Sequence, residues 1–162
     1  MRNLIFIIAL LGILSLTTSS SAQPAKPQVM VMEIKDEIDP PMLRYVKLAF
    51  EHAEKIKADY VIIEMDTYGG VLTDAKEIVD VVMDFKKPVW VFINSDAASA
   101  GALISIACDS IYMSPGASIG AATVVEGVGG PAAPDKYQSY MRGIMRSTAE
   151  KTDAIRALPR VW

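Results

Sequence analysis

Ser99 stands in the stretch NSDAASAG (94–101), flanked by Ala98, Ala100 and Gly101, so nothing bulky would shield its hydroxyl. A serine in this setting is either a small buried side chain or a nucleophile placed where an apolar strand hands over to a helix. As a nucleophile it needs a base, because the hydroxyl attacks poorly at its free pKa. The one histidine, His52, falls in a helical stretch that precedes the strand and turn around Ser99, so a Ser-His-Asp arrangement lacks its middle member. A lysine can take that place where burial or apolar neighbours lower its pKa. Lys136 opens the last helical stretch directly behind a glycine-rich loop and is the lysine best placed to reach over a cleft. Lys86 and Lys87 read as a solvated helix end, and Lys151 lies about four helical turns beyond Lys136.

An acyl-transfer site also needs donors for the developing oxyanion. DTYGG (66–70) follows an apolar run, and adjacent glycines there can expose backbone N–H groups in a conformation other residues resist, with the next helix adding its positive end. An ordinary tight turn is the alternative reading. The N–H of Ala100, directly after the serine, is the natural second donor. Cys108 lies inside LISIACDSIYM and reads as a small buried hydrophobe. One histidine and one cysteine, 56 positions apart, give no ligand spacing, so neither a metal nor a cofactor is expected.

These residues have to be positioned by regular elements. VMVMEI (29–34), YVIIEM (60–65) and PVWVFI (88–93) are short apolar runs of strand type. Between them, DPPMLRYVKLAFEHAEKIKA places Leu43, Val46, Phe50, Ala53 and Ile56 at helical spacing behind an acid and two prolines. VLTDAKEIVDVVMDFKK does the same with Ala75, Ile78, Val79, Val82 and Met83. A helix from about Ala100 to Cys108, short strands at SIYMS and SIGAATVV, the loop EGVGGPAAPD (126–135) and a last helix beginning at Lys136 complete the pattern. Strands alternating with helices predict an α/β fold with a parallel sheet flanked by helices, in which ligands gather at the carboxyl ends of the strands.

The start of the chain is a different kind of segment. Arg2, an apolar run from Leu4 to Leu16 and small residues Ser20 and Ala22 before a cleavage point predict a signal peptide over residues 1–22. QPAKPQ (23–28) then reads as a linker, and residues 29–162 as one domain that stops short of its closing element. Removal of the first segment takes Arg2 and no acid, shifting the net charge from −3 to −4. With no basic stripe and no aromatic platform beside Arg or Lys, nucleic acid is not an expected partner.

The order DTYGG, then AASAGALISIACDSIYMSPGASIGA, then KYQSYMRGIMRSTAE resembles the N-terminal protease domain of NfeD-type membrane proteins, within the ClpP/crotonase superfamily, with signal peptide peptidase A as a more distant relative. The resemblance covers about residues 28–150 and implies a ClpP/crotonase-like core of repeated β-β-α units. It implies a serine endopeptidase with a Ser-Lys dyad, matching Ser99 to the nucleophile and Lys136 to the base. It further implies an oxyanion hole at Gly69, Gly70 and Ala100, and it places Ser118, Ile119 and Gly120, at the head of SIGAATVV, as an extended edge for the substrate backbone. Hydrophobic segments of stomatin-like membrane proteins are the implied substrate. Self-association as a dimer or larger assembly and an exported, membrane-anchored position at the extracytoplasmic or periplasmic face are implied as well. Tyr68 departs from the pattern, standing where a DTPGG-like turn has proline. A non-catalytic scaffold for membrane-protein assembly and a crotonase-like acyl-CoA enzyme are the two alternative functions.

Overall fold

The computed structural model of the protein describes residues 26–127 and 130–152, so the predicted signal segment and the last ten residues lie outside the described residues. The elements follow in the order β1 (Val29–Ile34), α1 (Pro40–Lys55), β2 (Tyr60–Thr67), α2 (Leu72–Asp84), β3 (Val89–Ala98), α3 (Ala100–Ile106), β4 (Ser110–Met113), β5 (Ser118–Gly120) and α4 (Asp135–Lys151). β1 to β4 pair in parallel in that order, and β5 pairs with the end of β3 beyond the reach of β4.

Local sequence explains most of these boundaries. Asp39 caps α1, its Oδ1 accepting the Met42 N–H at 2.8 Å, and Pro40 and Pro41 fill the first helical positions, where no N–H is needed. Leu43, Val46, Phe50 and Ala53 form the buried stripe of α1 that their spacing predicts, and Ala75, Ile78, Val79 and Val82 do the same on α2. Alternate strand residues meet them: Met32 and Ile34 on β1, Val61, Ile63 and Met65 on β2, Val89, Val91 and Ile93 on β3, all fully or almost fully buried. A side chain of this size removed from water contributes about 2 kcal/mol, so this layer dominates the stability of the sheet.

The opposite face of the sheet is not closed by the described helices. In register across it run Val31, Ile62, Trp90 and Ser110, then Glu33, Glu64, Phe92 and Tyr112, with Trp90 held between the rings of Tyr60 and Tyr112. Lys35 reaches both acids of that face, 2.8 Å from Glu33 and 3.0 Å from Glu64. Among the described residues no helix is long and apolar enough to cross a membrane.

Several boundaries differ from expectation, and β2 runs on through Asp66 and Thr67. β3 continues past Ile93 through Asn94, Ser95, Asp96, Ala97 and Ala98, residues with little intrinsic strand preference. Pairing overrides propensity here: Ala97 aligns with Thr67 on one side and Ile119 on the other. The register slips between Met65 and Thr67, a bulge on the β3 side. β5 is only three residues long rather than the eight of SIGAATVV, and the helix predicted to run to Cys108 ends at Ile106.

Candidate active site

Because β3 runs to Ala98 and α3 begins at Ala100, Ser99 is the single residue joining them. Its backbone sits at φ 53° and ψ −113°, a left-handed conformation that costs a non-glycine residue about 1–3 kcal/mol. The junction is pinned from both sides: the Ser99 N–H donates to the Gly120 carbonyl at 2.7 Å, and the Ser99 carbonyl accepts from the Leu103 N–H at 3.2 Å. A sharp strand-to-helix turn of this kind lifts the serine side chain out of the core and into the space over the sheet.

The glycines around it are required by close approach. A Cβ on Gly69 would lie 2.7 Å from the Ser99 Cβ and 3.1 Å from the Ala100 nitrogen, and Gly69 itself has φ 105°. A Cβ on Gly101 would lie 2.6 Å from Cγ2 of Thr67, so α3 can seat on the end of β2 only with a glycine there. Thr67, buried, was not among the residues singled out from sequence, where it reads as part of a turn. Its Oγ1 donates to the Asp36 carbonyl at 2.6 Å and accepts the Gly69 N–H at 3.1 Å, tying the loop after β1 to the glycine turn.

That bond removes one of the three N–H groups expected to be free beside Ser99. The Gly69 N–H is committed to Thr67. The Gly70 N–H and the Ala100 N–H donate to no other group among the described residues, and both belong to the rim around Ser99. Gly69 therefore shapes the turn, while Gly70 and Ala100 carry the free donors.

Ser99, Gly69, Gly70 and Ala100 share one cleft of about 940 Å³ at the carboxyl ends of the strands. Tyr68, at the position expected for proline, stands 83 % exposed on its lip. The edge residues Ser118, Ile119 and Gly120 are not on the cleft wall: β5 is spent on β3, with Ser118 Oγ 2.5 Å from Asp96 Oδ1, and the wall is formed by residues after it, Ala121, Ala122, Val124 and Val125.

Lys136 is not brought to Ser99. Its amine lies 4.8 Å above the Tyr137 ring, and the side chain is exposed outside the cleft. The reason is helical phase. Met141, buried against the cleft, lies five residues further along α4, which turns Lys136 about 140° away from it. His52 is exposed on α1 and takes no part either. Lys35 does line the cleft, but the hydrogen bonds it donates to Glu33 first and Glu64 second raise its pKa, the opposite of what a general base requires. Cys108 is the buried hydrophobe expected: desolvation, with Asp109 adding to it, pushes its thiol far above the ordinary range, and its S–H points at the Ile104 carbonyl.

A one-layer parallel sheet with a strained serine at its carboxyl edge and two open N–H groups beside it is a ClpP/crotonase-like arrangement. The ClpP1 N165D variant from Listeria monocytogenes shares the fold, with a TM-score of 0.59 at 21 % identity over 76 % of this chain and 72 % of that one. Residues 28–157 match the family described as the NfeD1b N-terminal domain, and the chain belongs to that family. It is 32 % identical to the membrane protein NfeD1b of Bacillus subtilis over 92 % of this chain and 33 % of that protein. It is 31 % identical to the membrane-bound protease PH1510 of Pyrococcus horikoshii over 88 % of this chain and 34 % of that one. The chain thus spans about a third of the length of these relatives. Among solved structures, the 1510-N membrane-bound stomatin-specific protease, as a lysine-to-alanine variant with a substrate peptide, superposes with a TM-score of 0.72 at 32 % identity, covering 78 % of this chain and 61 % of that one.

Proposed function

We propose that the domain is a serine endopeptidase acting on apolar segments of membrane-associated, stomatin-like proteins. The observation that carries the reading is Ser99 held at φ 53° between β3 and α3, beside the free N–H groups of Gly70 and Ala100. Ser99 Oγ attacks the peptide carbonyl, its proton passes to a neutral amine, the two N–H groups hold the oxyanion, and the protonated base gives that proton to the leaving nitrogen as the C–N bond breaks. Water then releases the acyl group by the same route. In this proposal Lys136 supplies the amine, which requires its side chain to leave the Tyr137 ring and turn into the cleft. Similarity to the membrane-bound protease PH1510 and to the 1510-N stomatin-specific protease supports the peptidase and the substrate class. The membrane proteins among the relatives support a position at a membrane surface. The extracytoplasmic side and self-association are part of the same proposal, resting on residues 1–22 and on the resemblance.

Replacement of Ser99 by Ala and of Lys136 by Ala should each lower kcat for an apolar peptide by about a thousandfold or more. Cleavage by the Lys136→Ala chain at the wild-type rate would remove Lys136 from the mechanism, and cleavage by Ser99→Ala would remove the peptidase reading. The scaffold alternative draws support from one observation, the Lys136 amine resting on Tyr137 outside the cleft. It would prevail if the wild type cleaved nothing while partner binding persisted in Ser99→Ala.

A further inference from the structure

The strand order distributes charge across the cleft. Asp36 and Glu37 follow β1, Asp66 lies near the end of β2, Ser99 follows β3, and Ala122, Val124 and Val125 follow β5 on the far side. Going across the carboxyl edge of the sheet, one therefore meets three carboxylates, then the serine, then an apolar wall. Lys35, the one cation on the acidic side among the described residues, has its amine tied to Glu33 and Glu64, which are not cleft residues. Among the described residues Asp36, Glu37 and Asp66 have no basic partner within ion-pair distance. An apolar pocket on one side of a nucleophile and uncompensated negative charge on the other select a peptide with the opposite polarity pattern.

We propose that the cleft takes an extended peptide whose apolar stretch lies on the β5 side of Ser99 and whose lysine or arginine lies on the β1–β2 side. Two inter-strand spacings separate β1 from β3, about 10 Å, which an extended peptide covers in about three residues. The substrate pattern is thus the boundary of an apolar segment, where hydrophobic residues give way to a cation about three positions from the bond that is cut. This inference rests on the peptidase reading and adds the charge that reading does not specify.

The test measures binding apart from cleavage. Labelled apolar peptides carrying one lysine at successive positions, with glutamine and glutamate counterparts, are titrated with the Ser99→Ala chain by fluorescence anisotropy at about 50 mM and about 500 mM salt, where screening lengths differ threefold. Lysine is expected to tighten binding about fivefold over glutamine at low salt, at positions on one side of the cleavage point only. The preference should vanish at high salt and in the Asp36→Asn/Glu37→Gln double variant, and pass to glutamate in Asp36→Lys/Glu37→Lys. Equal affinity for the lysine, glutamine and glutamate series overturns the proposal, as does a lysine preference that survives in both double variants. The two readings fail separately: wild-type chain that cuts none of the peptides bound with cationic preference defeats the peptidase reading alone, and cutting of all three series at one rate defeats this inference alone.

Discussion

Gly101 and Thr67 are expected to be coupled through a single methyl group. An added Cβ on Gly101 would stand 2.6 Å from Thr67 Cγ2, about 1 Å inside an ordinary carbon contact, with Met65 Sδ and the Thr67 carbonyl oxygen both at a comfortable 3.7 Å. Gly101→Ala should therefore cost about 1–3 kcal/mol of overpacking, offset in part by up to about 1 kcal/mol of better helix propensity. Thr67→Ser deletes Cγ2 but keeps Oγ1, and so keeps the bonds to the Asp36 carbonyl and the Gly69 N–H, at a cost of about 1 kcal/mol for the lost buried methyl. In the double variant the alanine methyl moves into the space that Cγ2 leaves. Its stability, read from urea unfolding, should fall within about 1 kcal/mol of the wild type, a favourable coupling of about 1–2 kcal/mol. Strict additivity to within about 0.4 kcal/mol would refute the claim that this contact sets the seat of α3 on β2.

Two further outcomes follow from the geometry of the cleft. Ser99→Gly and Ser99→Ala both lack the hydroxyl, but only glycine adopts φ 53° freely; Ser99→Gly should be the more stable by about 1 kcal/mol in urea unfolding, and the reverse order would mean that the junction is not strained. Lys35 has a folded pKa raised above its ordinary 10.5 by Glu33 and Glu64, so its ion pairs stabilise the fold fully below that value and are lost only as pH rises through the higher folded one. Any basic limb of the cleavage rate between about pH 6 and pH 10 must then belong to another group, and Lys35→Arg should leave the limb at the same pH; a shift of a unit or more would make Lys35 the base.

Much of the architecture could be read from local signals, because periodicity and capping are local physics. The Asp39 cap with its two prolines and the buried stripe from Leu43 to Ala53 state where α1 begins and which way it faces. What escaped the sequence is what tertiary pairing decides. Asn94 to Ala98 form strand because β2 and β5 hold them from both sides, and SIGAATVV leaves the sheet after Gly120, where its φ turns to 138°. At the site, small residues around Ser99 were a legible signal of access, but the backbone angle that presents it was not. Thr67 gave no signal, since a threonine in DTYGG serves a turn equally well with its hydroxyl in water. The direction of Lys136 was hidden by α4 itself, where apolar residues at Tyr137, Tyr140, Met141, Ile144 and Met145 leave the helical phase ambiguous until Met141 and Thr148 are seen to be the buried pair.

The burial of α3 has a consequence for how Ser99 and the proposed base, Lys136, are held in time. Six of its seven residues, Ala100 to Ser105, are shut off from solvent, so the serine is mounted on an element whose amides exchange with solvent only through wide opening of the domain. The first turn of α4, with Asp135, Lys136 and Tyr137 exposed, is attached chiefly by the Gln138 side chain, which bonds both the N–H and the carbonyl of Val124. Its amides should exchange through small, frequent fluctuations. In the proposed mechanism, readiness is then an equilibrium property of this turn, adjustable by changes at Gln138 that leave α3, and the global stability that depends on it, where they were.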